Sequence, residues 1–176
     1  DMGFSRSFQG NAYVDFVTES VMNKTLSTHF SKDYRKLWGN DEIFYDGPDF
    51  SIPTIGLGRD KWEHYHTDKD NLENCDIDQL VESYEFLSHV VDVLENDYIP
   101  HRKYVGPLYL DRYGITFDSK GDPEGYSYIQ KIQILADGTL SISEISRALN
   151  IDYFFVFDFF ETLFNKDLIS KEPYFA

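Results

Sequence analysis

Two histidines separated by one residue, in the stretch WEHYHTDKDN at 62–71, are the side chains best suited to chemistry. In an extended segment His64 and His66 would point to the same side, because side chains alternate along a strand. A neutral imidazole is a good zinc ligand, and a protonated one pairs well with carboxylates. Two histidines cannot complete a tetrahedral zinc site. The local sequence therefore leaves two alternatives: a metal site with oxygen ligands from elsewhere, or surface histidines in an acidic loop.

The composition limits the classes of partner. The chain has 176 residues, of which 41% are hydrophobic, and 31 acidic residues against 16 basic ones give a formal net charge of −15. Such a surface repels nucleic-acid phosphates and anionic lipid unless its basic residues are concentrated. No apolar run approaches the roughly 20 residues that span a bilayer. We therefore expect neither a nucleic-acid nor a membrane partner.

Two features of the sequence concern its cellular context. A single cysteine, Cys75, fits a reducing compartment and hence a cytoplasmic location. The sequence begins Asp-Met-Gly-Phe, without an initiator methionine. We expect it to be part of a longer protein, so the absence of a signal peptide proves nothing.

Hydrophobic periodicity predicts the elements of the first half. A helix is expected at 10–24 with Asn11 as its N-cap, and a buried strand at 52–58. The clearest element is a helix at 77–95, which begins after Asp76. Its apolar side chains recur at intervals of three and four and are expected to face the core: Ile77, Leu80, Tyr84, Leu87, Val91 and Leu94.

The second half has a different character. Residues 96–125 contain three prolines and show no sustained periodicity, which indicates a linker or a surface loop. Beyond it, three short helices are expected between 125 and 167, followed by a strand at LISKEP. Three helices followed by a strand is the order of a winged helix-turn-helix.

Three motifs together resemble the co-catalytic zinc aminopeptidases, the superfamily that includes glutaminyl cyclases. That family has a Gly-x-Ser-Asp-His-x-x-Phe-x-x-x-Gly-x-Pro stretch, then a His-Thr-x-x-Asp motif, and an Asp-Met pair that supplies a zinc ligand. The matching residues here are Gly39-Asn40-Asp41-Glu42 with Tyr45, Gly47 and Pro53, then His66-Thr67 with Asp70, and Asp1-Met2. Glu42 stands where the family usually has histidine. A closer likeness is to a bacterial subgroup that carries a winged-helix tail.

The resemblance implies both a fold and an activity. The implied fold is α/β: the C-terminal part of a zinc-peptidase-type mixed-sheet catalytic domain at 1–100, a linker at 101–124, and a small winged-helix domain at 125–176. The implied activity is zinc-dependent hydrolysis of peptide or amide bonds in a peptide or small-molecule substrate. A two-zinc site in this family needs five protein ligands and a glutamate general base, and most of their motifs precede the Asp-Met pair. The chain alone is therefore not expected to be active.

The resemblance also implies roles for individual residues. His66 would bind one zinc ion and Asp1 the other, while Asp70 would orient an imidazole. His64 is expected at the rim of the site, where the motif demands no ligand. Arg59 would bind a substrate carboxylate, with a surface salt bridge as an equally favoured alternative. The substrate would also contact Tyr45 and Asp41.

Two other functions stay open at this point. One is a non-catalytic interaction module that kept the hydrolase fold and lost its metals. The other, less favoured, is a winged-helix DNA-binding regulator, because residues 123–176 carry four basic residues against eight acidic ones. The third predicted helix, at 152–167, is rich in phenylalanine, which favours burial against another protein or a second copy.

Overall fold

The computed structural model describes residues 1–60, 63–116 and 120–174, and it has a mixed α/β fold. The chain divides into two compact units, unit 1 at Asp1–Glu95 and unit 2 at Asn96–Ala176. Its strands are β1 (Met2–Ser5), β2 (His29–Lys32), β3 (Gly56–Arg59), β4 (Tyr98–Arg102) and β5 (Ile169–Pro173). Its α-helices are α1 (Tyr13–Thr25), α2 (Glu42–Tyr45), α3 (Ile77–Asn96), α4 (Pro123–Leu135), α5 (Ile142–Leu149) and α6 (Tyr153–Asn165).

Strand β1 is the centre of the sheet in unit 1, whose order is β2-β1-β3. It runs parallel to β2 and antiparallel to β3, so that Met2 lies opposite both His29 and Arg59. All four residues of β1 are buried. A Cβ atom at Gly3 would lie 2.3 Å from the ring of Phe30, which explains why glycine occupies this position. The predicted strand at 52–58 exists in part, at Gly56–Arg59, but it is half-buried and not buried.

A buried aspartate closes the connection between β1 and α1. Asp15 accepts hydrogen bonds from the backbone N–H of Ser7 at 2.8 Å, from the Ser7 hydroxyl at 2.5 Å and from the Ala12 N–H at 2.9 Å. The N-cap of α1 is therefore Ala12, and the prediction of Asn11 was wrong. The capping-box function comes from the carboxylate three residues into the helix.

Helix α3 confirms the predicted boundaries but buries a different face. Five of the six residues expected to face the core are exposed, and Leu94 is half-buried: Ile77, Leu80, Tyr84, Leu87 and Val91 are 43–72% exposed. The helix instead buries Phe86, Val90 and Val93. Apolar residues occupy two faces of this helix. Hydrophobic periodicity alone does not predict which of the two faces is buried.

Unit 2 begins earlier than the sequence suggested. Strand β4 pairs antiparallel with β5, with Tyr98 opposite Pro173 and Arg102 opposite Ile169. Part of the predicted linker at 101–124 is therefore integral to unit 2, and the division between the units falls at 95/96. Residues 117–119 of that linker lie outside the described residues. The three predicted helices are confirmed as α4, α5 and α6, with β5 after them; their assignment as a winged helix stays a prediction.

The helices of unit 2 begin where the sequence signals are strongest. Ser141 and Glu144 form the predicted capping box at the start of α5, which ends at Asn150 with a left-handed φ of 52°. Helix α6 buries three of its seven aromatic side chains, Tyr153, Phe159 and Phe160. Near the start of β4, Asp97 accepts a 2.6 Å hydrogen bond from the Ser143 hydroxyl.

No helix in the described part of the chain combines the length and the apolar character that a membrane span requires. Cys75 is exposed and forms no disulfide bond.

Replacing Asp15 by alanine is expected to destabilise unit 1 by about 2–4 kcal/mol, because buried donors of Ser7 and Ala12 lose their acceptor. Trp38 belongs to unit 1, and the sequence of unit 2 contains no tryptophan, so tryptophan fluorescence during urea unfolding reports on unit 1. The exposed Asp68 is the matched control, and Asp68→Ala should change the unfolding free energy by less than about 0.5 kcal/mol. Equal effects of the two substitutions would contradict this account.

Unit 2 is expected to lose stability at alkaline pH. Burial raises the pKa of Tyr98 and of Tyr153 well above the ordinary value of 10.0, and the hydrogen bond from Tyr98 to Glu161 raises the pKa of Tyr98 further. The unfolded chain would ionise these phenols near pH 10, so their contribution to stability is complete below that pH and is lost as the pH rises above it. Hydrogen exchange of the α5 and α6 amides as a function of pH measures this loss.

One substitution tests this account directly. Within the described residues the buried Tyr153 hydroxyl has no hydrogen-bond partner. Tyr153→Phe should therefore leave stability at pH 7 unchanged or raise it by about 1 kcal/mol, and should shift the alkaline transition to higher pH. An unshifted transition would show that other groups control it.

Candidate functional site

Asp1 and Arg59 meet at one end of the sheet in unit 1. Asp1 directly precedes β1 and Arg59 ends β3, and the N–H of Asp60 donates a 3.0 Å hydrogen bond to the carbonyl oxygen of Asp1. The Asp1 carboxylate accepts a 2.9 Å hydrogen bond from the hydroxyl of Thr28, which leads into β2. The sheet register thus places the exposed Asp1 carboxylate at the edge of the sheet where β3 ends, in contact with the Thr28 hydroxyl.

Arg59 links the sheet to α3. Its Nη2 atom lies 2.5 Å from the Glu82 carboxylate and 2.8 Å from the carbonyl oxygen of Gln79, and its Nε atom lies 3.2 Å from the Ser83 hydroxyl. This arrangement is the salt-bridge alternative that the sequence left open. A role for Arg59 in substrate binding stays a prediction.

The two histidines lie in a turn, not in an extended segment. The N–H and the hydroxyl of Thr67 both donate to the carbonyl oxygen of His64, and the N–H of Asp70 donates to the carbonyl oxygen of Thr67. His66 has a left-handed φ of 62°, and its ring stacks on Tyr65 with a centroid separation of 3.8 Å. The prediction that both imidazoles point to the same side assumed an extended backbone. The backbone here is a turn, so the premise of that prediction is wrong. His66 and Asp70 are exposed, whereas His64 is half-buried.

Asp41 directly precedes the one-turn helix α2, and Tyr45 is its last residue. Both side chains are exposed, and Asp41 stands at the N-cap without a side-chain capping bond. Between them, Glu42 is buried and receives 2.6 Å hydrogen bonds from the Arg35 guanidinium and from the N–H of Asn40. Glu42, which stands where the resembled family usually has histidine, thus stabilises the loop around Arg35 and Asn40 through hydrogen bonds.

Sequence reasoning missed Asp46, which joins two loops beside α2. Its carboxylate accepts a 2.6 Å hydrogen bond from the N–H of Phe8 and a longer one, 3.4 Å, from the N–H of Thr54. Phe8, Ile43 and Asp46 line an open groove of about 560 Å³. No local pattern identifies this role, because Phe8 is 38 residues away in sequence.

The described residues do not by themselves fit a zinc centre. In residues 1–60, 63–116 and 120–174 no three His, Cys, Asp or Glu side chains form a group that could hold a metal ion. The Asp1 carboxylate is engaged by Thr28, and the ring of His66 is engaged by Tyr65. These two residues could supply at most two of the ligands that a tetrahedral site requires.

Comparisons with known proteins cover the chain unevenly. A family model described as "Domain of unknown function (DUF4910)" matches residues 1–97. The chain is 30% identical over 96 residues to a Clostridium acetobutylicum protein whose name provisionally assigns it to polysaccharide biosynthesis, with an aminopeptidase-like domain. That match covers 53% of this chain and 22% of the relative.

A crystal structure from the same organism, whose description provisionally assigns it as a peptidase, is similar to this fold. The TM-score is 0.74 at 22% identity, over 97% of this chain and 39% of the solved one. The chain thus spans about a fifth of the length of the curated relative and about two fifths of the solved one. At this identity the likeness concerns the fold alone.

The contact between Arg59 and Glu82 should contribute little to stability, because the Glu82 side chain is 51% exposed. A double-mutant cycle with Arg59→Ala and Glu82→Ala is expected to give a coupling free energy of about 0.2–1 kcal/mol from urea unfolding. The cycle Lys103→Ala and Asp167→Ala, on the more exposed pair in unit 2, should give a value no larger. A coupling above about 2 kcal/mol would mean that Arg59 serves mainly to hold α3.

Proposed function

Because its model matches residues 1–97, the chain belongs to the DUF4910 family, and we propose that the whole protein is a zinc-dependent, aminopeptidase-like hydrolase of peptide or amide bonds. Both relatives carry names of the peptidase class, which supports a peptidase-like function at the level of the family. The 30% identity over 96 residues to a protein whose name includes an aminopeptidase-like domain is the observation that carries the proposal.

In this proposal His66 and Asp1 are zinc ligands, and Asp70 orients an imidazole. The support for Asp1 is its position: an exposed carboxylate fixed at the end of the central strand by Thr28. The support for His66 is its exposure in a turn that ends at Asp70. The remaining ligands and the general base are assigned to parts of the longer protein outside this chain.

The exposed face of α3 also supports a larger catalytic domain. Monomeric proteins seldom leave a long apolar helix face in water. The relatives continue well beyond the region matched by this chain, and we assign the cover of this face to the preceding part of the same polypeptide. In the complete domain, Tyr45, Asp41 and Arg59 would line the approach of the substrate. Arg59 would have to exchange its contact with Glu82 for a substrate carboxylate.

A non-catalytic interaction module is the second candidate. Its specific support is that two charged groups near the site already have structural partners: Arg59 pairs with Glu82, and Glu42 pairs with Arg35. A module of this kind could contact a protein partner or a second copy through the aromatic tail, where Phe164 is 42% exposed on α6.

Replacing His66 by alanine in the full-length protein is expected to remove one bound zinc ion and nearly all turnover, because an open site cannot retain the metal without one of its ligands. His64→Ala is the matched control and should keep the zinc content and most of the activity. Zinc is measured by elemental mass spectrometry, and turnover with aminoacyl amides and N-acyl amides.

Three results would decide between the candidates or against the proposed roles. Turnover that survives a chelator, or a His66→Ala variant with its full zinc content, would contradict the proposed roles. A folded full-length protein that binds almost no zinc from a zinc-containing buffer and hydrolyses neither substrate class would favour the interaction module.

A further inference from the structure

A groove of about 960 Å³ lies within unit 2, between the chain segment at 106–112 and helix α4. All of its lining residues fall between Arg102 and Ile134, so the groove belongs to one compact unit. None of the residues implicated in hydrolysis contributes to it. Ligand binding in this groove is therefore independent of the proposed function.

The groove has an apolar lining. Ile115 and Ile129 are buried, while the rings of Tyr109 and Tyr126 and the side chain of Ile134 remain exposed to solvent. A volume of this size, lined mainly by apolar and aromatic side chains with a few polar groups, is typical of sites for small organic molecules.

The polar groups of the lining are mainly hydrogen-bond donors. Arg102 is held at the end of α4 by long contacts of its Nη1 atom with the carbonyl oxygens of Gln133, at 3.5 Å, and Ile134, at 3.3 Å. Among the residues that the structure describes, its Nε and Nη2 atoms make no hydrogen bond. The guanidinium of Arg112 lies 5.3 Å from the centre of the Tyr109 ring, which restricts its position through a cation–π contact.

The charge balance in the groove is positive, although the whole chain carries a formal net charge of −15. Two guanidiniums, of Arg102 and Arg112, stand against one carboxylate, of Asp111. Within the described part of the chain neither arginine lies within 4 Å of a carboxylate oxygen. Arg102 also interacts electrostatically with Asp137, which lies outside the groove lining, so Arg112 is the less compensated of the two cations. Two guanidiniums without a carboxylate in direct contact, beside an apolar surface, complement a ligand that joins an anionic head to an apolar body.

We propose that this groove binds a small organic acid with one carboxylate and an aromatic or aliphatic body. The body lies against Ile129 and Ile134, and the carboxylate pairs with Arg112 and with the free nitrogens of Arg102. A small acid fits better than an acidic peptide for an electrostatic reason. The net negative charge of the chain repels each additional negative charge of a ligand, whereas the groove compensates for only one.

The test uses the full 176-residue chain and two probes of the same shape, 4-phenylbutyrate and its neutral analogue 4-phenylbutanamide. Backbone amide shifts in a nitrogen–proton correlation spectrum locate the binding and give both dissociation constants. The carboxylate is expected to shift amides at 106–112 and 126–134 and to bind about fivefold more tightly than the amide, the gain that exposed ion pairs provide. This preference should shrink at high salt.

Three substitutions assign the preference to residues. Arg112→Gln should weaken binding of 4-phenylbutyrate by about threefold or more and leave binding of the amide unchanged. Arg147→Gln removes the same charge from an exposed position of unit 2 outside the groove, and should change neither constant by more than about 1.5-fold. Ile134→Ser should weaken both probes, because it removes exposed apolar surface that both contact.

Each remaining outcome would overturn the proposal. Equal affinity for the two probes, shifts confined to the exposed face of α3, or equal effects of Arg112→Gln and Arg147→Gln would each exclude an acid site in the groove. Tighter binding of an acidic heptapeptide than of 4-phenylbutyrate would identify a peptide groove instead. The spectrum of each variant shows directly whether it has folded.

Discussion

The double pairing of β1 is the constraint on which unit 1 depends. A four-residue strand is too short to be stable by itself, and β1 acquires its position from hydrogen bonds to β2 on one side and to β3 on the other. The same pairing places Asp1 opposite Asp60, the residue that follows Arg59. Asp15 then satisfies the N–H groups in the short connection between β1 and α1. The position of Asp1 therefore follows from the sheet register, and the start of α1 follows from the hydrogen bonds of Asp15.

Local sequence signals predicted the elements whose causes are local. The capping box of Ser141 and Glu144 lies entirely within four residues, and α5 begins where it predicts. Helix α3 has the expected bounds for the same reason, since 20 residues of helical periodicity leave little ambiguity. What failed was the choice of its buried face. That choice depends on which other surfaces are present, and periodicity alone does not contain this information.

The features that sequence reasoning missed involve partners far apart in the chain or an unusual backbone conformation. Strand β4 looked like a linker because its partner, β5, is about 70 residues further on. The hydrogen bond from the Phe8 N–H to Asp46 could not be predicted either, because the two residues are 38 positions apart in the sequence. The turn at His66 was missed because a non-glycine residue with a positive φ is uncommon and leaves little trace in composition. The residue types of the candidate site could thus be identified from motifs, whereas their orientations could not.

The pairing of β4 with β5 has a consequence for protein synthesis. Strand β4 leaves the ribosome well before β5, and helices α4, α5 and α6 emerge in between. During this interval the backbone N–H and C=O groups of β4 have no partner strand, and side chains that are buried in the folded unit, such as Tyr98, are exposed. Both features favour association with other nascent chains. Pro100, in the middle of β4, carries no N–H and so removes one of the donors that a wrong partner strand could use. Unit 2 is therefore a late-folding module, completed only when its last strand has been translated, while the sheet of unit 1 already has all three of its strands.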